Sequence, residues 1–377
     1  MPTKTRFTVV CDRKTLTDAF TAVAGVLPSR TVKEILKNVK LQVSGGVVTL
    51  IGTDGEVGMR CTVPDVTADN DGEALLPTGR VVQVLREIKG ESVELELDGT
   101  AFWIRSGLSE FRLSAEDPAE FPLVAGFGDD VCYVMQASDL RRMIRRTVFA
   151  CDADSTRYAL GGVMLELSPE RSTFAATDSR RLAVVLGGCR AEGSVTPASP
   201  APVVPAKAMA LIERILGEGN TEARIAVHSN DVAIQCGGVT ITSQLVQGRF
   251  PDYRKVVPAK FNATVDLVVG PFHSAVRQAQ IVTSEESRGV DFTFTNGILR
   301  LSSQAADIGQ SKVELPISYG GEQLTITFDP RYIADFLKVL DPGTSVHFQL
   351  IDHESAAVLQ TDDGYTYVVM PLSKDKV

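Results

Sequence analysis

Between Ser138 and Thr147 the chain carries Arg141, Arg142, Arg145 and Arg146 against a single acid, Asp139. On a helix turning 100° per residue these four guanidinium groups fall within about 140° of arc. A face of that kind follows phosphates electrostatically without reading bases; the plainer alternative is a solvated helix face. Little else in the chain is arranged for covalent chemistry. The histidines, His228, His273, His347 and His353, show no HxxxH or HExxH spacing. There is no Walker A sequence and no GxSxG elbow, and Gly161-Gly162 and Gly320-Gly321 lack phosphate-loop spacing. The acidic pairs Glu116-Asp117, Asp129-Asp130, Glu285-Glu286 and Asp362-Asp363 read as solvated loop positions rather than metal sites. The expectation is a protein without catalytic residues, metal or cofactor.

The elements that position the arginines recur. Leu140, Met143, Ile144 and Thr147 form an apolar stripe opposite them, after the strand Tyr133-Val134-Met135. The same pattern occurs at Leu16, Ala19, Phe20 and Val23 after Phe7–Val10, and at Phe272, Ala275, Val276 and Ala279 after Val265–Val269. The intervals are about 124 and 132 residues, one ordinary domain each. A second stripe follows in the same order: Val81, Val84, Leu85, Ile88; Ala208, Leu211, Ile212, Ile215; Ile333, Phe336, Leu337, Leu340. Pro77, Pro205 and Pro330 stand just ahead of it, where proline suits a helix start. On the second helices Arg80, Arg86, Lys89, Lys207, Arg214, Arg331 and Lys338 add weaker basic character.

Between the helices lie strands and tight turns. Asn38–Val43 and Val47–Ile51 flank Ser44-Gly45-Gly46; Ser92–Leu97 and Ala101–Ile104 flank Asp98-Gly99-Thr100. Ala223–His228 and Val232–Gln235 surround Ser229-Asn230-Asp231, and Asp291–Phe294 and Ile298–Leu301 flank Asn296-Gly297. Strands joined this way pair antiparallel, so the class is α+β with three repeated domains, bounded at 1–125, 126–257 and 258–377. Gly187–Pro205, rich in Pro, Ala and Ser, reads as an exposed connection before the second helix of the middle repeat.

Composition fits large buried cores: 377 residues, 44% hydrophobic, net charge −9. No apolar run approaches the ~18 residues of a membrane helix, and Lys4 and Arg6 precede a strand rather than a signal-peptide block. Cys11, Cys61, Cys132, Cys151, Cys189 and Cys236 are scattered and read as buried thiols of a cytoplasmic protein.

Three further segments carry a resemblance: Thr177–Ala183 (TDSRRLA), Gly248–Val256 (GRFPDYRKV) and Tyr367–Leu372 (YVVMPL). With the threefold layout, the chain from Phe7 to Leu372 resembles the bacterial sliding clamp family, the beta subunit of DNA polymerase III. The resemblance implies a homodimeric six-domain ring that encircles and slides on duplex DNA, its helices lining the pore. The clamp would tether the replicative polymerase alpha subunit, the clamp loader and other proteins carrying a clamp-binding motif. It implies DNA contacts at Arg30, Arg157 and Tyr158, alongside Arg141, Arg142, Arg145, Arg146 and Lys207. It places a partner-peptide cleft at Leu160, Thr177, Ser179, Arg180, Arg181, Leu182, Pro251, Lys255, Val256, Met370, Pro371 and Leu372. Ser179-Arg180 stand where relatives commonly carry Gly-His, and Ser373–Val377 replaces a short basic finish. The protomer seam would join Phe102–Arg112 to Leu299–Val313 of the second copy. Phe102, Leu108, Phe111, Ile281 and Val282 would supply its apolar packing.

Modest positive charge inside a ring and negative charge outside suit a topological hold on DNA, because tight phosphate contacts would add friction. Two other readings remain at this stage: a three-domain scaffold that does not encircle DNA, and a DNA-processing enzyme whose site has no recognisable motif.

Overall fold

The structure is a computed structural model that describes residues 6–128, 130–152, 159–217, 221–284, 288–306 and 308–372. Among these are six α-helices: α1 (Arg13–Ala24), α2 (Thr78–Glu87), α3 (Ala137–Arg145), α4 (Ala206–Ile215), α5 (Val269–Ala279) and α6 (Pro330–Lys338). They fall two to a repeat, in the expected order. The stripe residues of α1, α3 and α5 are all buried, as is Thr147 just beyond α3. On the second helices Val84 and Ile215 are only half-buried, and Leu216 takes the buried place after α4. Helix starts follow local chemistry. The Asp12 side chain accepts the Thr15 N–H at 2.7 Å, and Asp329 accepts that of Arg331 at 3.0 Å with Pro330 at the first helical position.

Two compact units emerge, and neither is a repeat. One comprises Met1–Arg141, Cys189–Thr196 and Lys207–Leu245; the other comprises Arg142–Gly188, Pro197–Ala206 and Val246–Val377. The middle repeat therefore contributes strands to both. The physical reason is that sheets continue across repeat boundaries through backbone hydrogen bonds.

The first unit holds a five-stranded and a nine-stranded sheet. In the nine-stranded sheet Val57–Val63, from the first repeat, pairs antiparallel with Val239–Gln244, the last strand of the second. Gly45 and Gly46, at φ 56° and 78°, make the tight turn before Val47–Thr53. Gly52 lets α1 approach that strand closely: a Cβ there would lie 2.6 Å from Val23 Cγ1.

The second unit holds an eight-stranded and a four-stranded sheet. Here Arg181–Gly188, from the second repeat, pairs antiparallel with Thr366–Val369, the last strand of the third. Its core is aromatic. Phe348 lies 5.6–6.0 Å, ring centroid to centroid, from Phe272, Phe294 and Phe328, and Phe336 packs against Tyr365 and Tyr367 at 5.1 and 4.9 Å.

The segment Gly187–Pro205 departs from expectation. It contains the strand Arg190–Glu192, paired with Cys132–Val134, and the strand Val203–Pro205, paired with Gly162–Met164. Only the stretch between them is an exposed connection. Three-residue strands are too short to leave a period-two signal. Cys11, Cys61, Cys132 and Cys236 are buried free thiols, with Cys151 and Cys189 half-buried. Burial, reinforced by Asp12, pushes Cys11 up to about 11, and burial pushes Cys151 up to about 12. No helix among the described residues is long and apolar enough to cross a membrane.

Emptying the aromatic core should be costly. Phe348→Ala is expected to destabilise the second unit by roughly 3–5 kcal/mol, read as a lowered urea midpoint in the unfolding transition followed by far-UV circular dichroism.

Candidate functional site

The second unit brings the three motif segments together. The hairpin of Arg171–Thr177 and Arg181–Gly188 turns through Asp178-Ser179-Arg180. The Asp178 carboxylate accepts the backbone N–H groups of Arg180 and Arg181, each at 3.0 Å. Thr177 donates its hydroxyl to the Arg181 carbonyl at 2.6 Å and accepts the Ser179 N–H at 3.1 Å. Ser179 sits at φ 70°, a left-handed conformation that glycine adopts without strain. The Thr366–Val369 strand then carries the chain past this turn. Met370 N–H donates to the Arg180 carbonyl at 2.9 Å, and Leu372 N–H donates to that of Thr327 at 2.8 Å.

The third segment docks through its aromatics. Phe250 and Tyr253 are buried, 6.4 Å apart, in one apolar cluster with Leu182, Val184, Val358 and Val368. Tyr253 donates its hydroxyl to Glu166 at 3.2 Å, and Arg254 ion-pairs with the same carboxylate at 2.5 Å. Leu160 and Leu182 are buried, whereas Met370 and Val256 keep 41% and 50% of their surface exposed. Pro251, Ser179, Arg180 and Lys255 are also exposed, and Pro371 and Leu372 are half-buried. Lys255 pairs with Asp252 at 2.9 Å. The result is an apolar floor with an adaptable methionine at its edge and charged groups around it, suited to an extended peptide with apolar anchors.

Arg181, expected in the cleft, is largely buried and engaged within the fold. Its side chain, 10% exposed, pairs with Asp178 at 2.9 Å and with Asp335 on α6 at 2.6 Å. It also donates to the Phe149 carbonyl at 2.7 Å and lies 4.6 Å over the Tyr332 ring. Asp335, which sequence reasoning missed, lies 154 residues away and leaves no local signal. Arg181 thus ties the turn to α6.

The basic residues divide in a similar way. Arg142 and Arg145 are exposed and Arg141 is half-buried. Arg146 differs: its side chain is 12% exposed, pairs with Asp363 at 2.6 Å and lies 5.0 Å over the Tyr365 ring. The expected four-arginine face therefore lacks Arg146. The reason is that its guanidinium, at one end of the arc, is held by Asp363 and the Tyr365 ring. Lys207 is ion-paired to Asp54. Burial pushes the Asp54 carboxyl up, but Lys207 and the N–H groups of Val57 and Glu56 outweigh it and hold the group below its ordinary range. Arg30 is exposed in the loop after α1, and Arg157 and Tyr158 lie outside the described residues. No group of His, Cys, Asp and Glu among the described residues is arranged to hold a metal ion.

Two sheet edges complete the picture. Ser109–Ser114 is an edge strand of the five-stranded sheet, and Gly309–Pro316 an edge strand of the four-stranded one. Phe111 on the first, Leu108 in the turn before it, and Ile281 near the second are exposed, with Val282 half-buried. Phe102 is corrected: it is fully buried, because Ala101–Ser106 is an interior strand whose alternate residues face the core. Ile308, exposed in the turn before Gly309, was missed because an isolated turn residue carries no periodicity. On the outward face Trp103 lies between the guanidinium groups of Arg105, at 5.2 Å, and Arg112 of the edge strand, at 5.8 Å.

Repeated helix pairs and sheets fused across repeats define a three-domain clamp. Family models for the N-terminal, central and C-terminal domains of the DNA polymerase III beta subunit match residues 6–125, 134–252 and 254–373. A beta sliding clamp from Salmonella typhimurium is 30% identical over 370 residues, 97% of this chain and 99% of that protein. A crystal structure of the DNA polymerase III subunit beta from Pseudomonas aeruginosa matches with a TM-score of 0.89 at 30% identity, covering 98% of this chain and 100% of that one. A Bacillus subtilis sliding clamp matches the fold with a TM-score of 0.91 at 23% identity. The chain belongs to the DNA polymerase III beta subunit family.

Arg181→Ala should leave Asp178 and Asp335 without their shared cation and destabilise the second unit by roughly 3–5 kcal/mol. Arg181→Lys should not restore it, because one ammonium cannot span both carboxylates and the Phe149 carbonyl; urea unfolding of both variants checks this.

Proposed function

We infer that this chain is a DNA polymerase processivity factor that closes as a homodimeric ring on duplex DNA. The observation that carries this reading is the repeated seam. Within the chain, the last strand of one repeat twice pairs with the strand that follows the first hairpin of the repeat before it. That leaves one strand of each kind without a partner, Ser109–Ser114 and Gly309–Pro316. A second copy satisfies both at once, head to tail, and gives a closed assembly.

In this reading the domains run 1–125, 126–257 and 258–377, and the ring holds DNA by topology rather than by tight contacts. Arg30, Arg141, Arg142 and Arg145 supply the inner positive charge, with Arg157 and Tyr158 assigned by resemblance. Lys207 contributes less because Asp54 already offsets it. The cleft around Met370 takes short linear motifs from the replicative polymerase, the clamp loader and other partners, its floor formed by Leu160, Leu182 and their neighbours. The protein works in the cytoplasm, without cofactor or catalytic site of its own.

Solution mass tests the ring: about 81 kDa is expected, twice the 40.6 kDa chain. Apolar packing by Leu108, Phe111, Ile281, Val282 and Ile308 together with backbone pairing should make dissociation only weakly dependent on salt. A monomer at all concentrations overturns the ring, and a steep salt dependence overturns the account of what holds it. For the cleft, a labelled Gln-Leu-x-Leu-Phe peptide should bind saturably in the micromolar range by fluorescence polarisation. Met370→Ala should weaken it roughly tenfold or more.

A further inference from the structure

The two seams within the chain fix a register that transfers to the seam between copies. Tyr133, Ile225, Ile234 and Ile241 lie side by side across four strands of the second repeat. Val265, Phe348, Leu359 and Tyr367 do the same in the third, and Val9, Leu95, Ile104 and Phe111 in the first. Phe111 is thus the counterpart of Ile241 and Tyr367. On the facing side, Leu41–Leu50–Cys61, Leu165–Phe174–Val185 and Phe292–Leu301–Val313 are equivalent rows. Two residues back along each last strand stand Met59, Ala183 and Ser311. Ile241 pairs with Met59, and Tyr367 pairs with Ala183. Both internal seams therefore have the same register.

We propose that the seam between copies keeps this register, setting Phe111 opposite Ser311 of the partner subunit and Glu110 opposite Lys312 of the partner subunit. The proposal rests on the ring reading above and names the charge pair that selects its alignment. At the corresponding positions the internal seams carry Thr240 against Arg60 and Thr366 against Val184, so neither sets acid against base. Glu110 already pairs with Arg105 at 2.6 Å, and Lys312 with Glu314 at 3.0 Å. Closing the ring continues these into one alternating row: Arg105, Glu110, then Lys312 and Glu314 of the partner subunit. A slip of two residues one way would set Glu110 against Glu314, and the other way against Gln310, so the pair distinguishes the correct alignment from its nearest same-face alternatives. An exposed pair of this kind adds little affinity, so its effect is on alignment and on choice of partner.

The head-to-tail geometry supplies the test. Glu110→Lys and Lys312→Glu are each expected to weaken the homodimer roughly tenfold, because both seams of each ring then oppose like charges. In an equimolar mixture every seam of a mixed ring is matched, one in the original sense and one reversed. Mixed dimers should therefore exceed the statistical share, read by native mass spectrometry after one variant carries a mass tag. The double variant E110K/K312E should recover wild-type dimerisation, and thermal unfolding followed by circular dichroism verifies that each chain is folded. Tighter dimers from E110K would show Glu110 facing Glu314 and overturn the register, as would a statistical mixture of folded single variants. A wild-type chain that stays monomeric would instead overturn the ring reading itself.

Discussion

Antiparallel backbone pairing across repeat boundaries is the constraint on which the rest of the structure depends. Each repeat alone would expose a strand edge on either side, and an exposed edge is an invitation to pair with whatever arrives. Here the edges are consumed internally at Val57–Val63 with Val239–Gln244 and at Arg181–Gly188 with Thr366–Val369. The compact units consequently follow the sheets and cut through the middle repeat. The apolar floor follows from the same pairing, since Leu182 and Val368 reach one apolar cluster only because their strands are joined.

A second theme is how the cations are allotted. Arg181 and Arg146 are spent on internal tasks, each bridging distant parts of its unit through a carboxylate and an aromatic ring. Arginine suits this because its planar fork can serve several acceptors while its face stacks. A ring that must let DNA slide gains from such restraint. Charges fixed to carboxylates raise the local field less than exposed ones, so the run from Arg141 to Arg146 presents a softer surface than its sequence suggests.

Much of the fold was legible because it rests on local periodicity. The stripes at Leu16–Val23, Leu140–Thr147 and Phe272–Ala279 are buried where a 3.6-residue period places them, and the glycine turns at Gly45-Gly46 and Gly297 form where expected. The short strands Arg190–Glu192 and Val203–Pro205 were not legible, because they are held by pairing with distant strands rather than by any pattern of their own. The same limit applied to the site. Its segments stood out as motifs, but whether an arginine is exposed or spent depends on partners such as Asp335 and Asp363, which lie 154 and 217 residues away.

Trp103 has a consequence of a different kind. It is the one tryptophan of the chain, and Arg112, one of the two cations near its indole, lies on Ser109–Ser114, the edge strand assigned above to ring closure. Indole emission depends on the charge beside the ring, so the protein's intrinsic fluorescence is a local optical signal from the closing edge. On the ring reading, opening can thus be followed in the native molecule, without dye or engineered label.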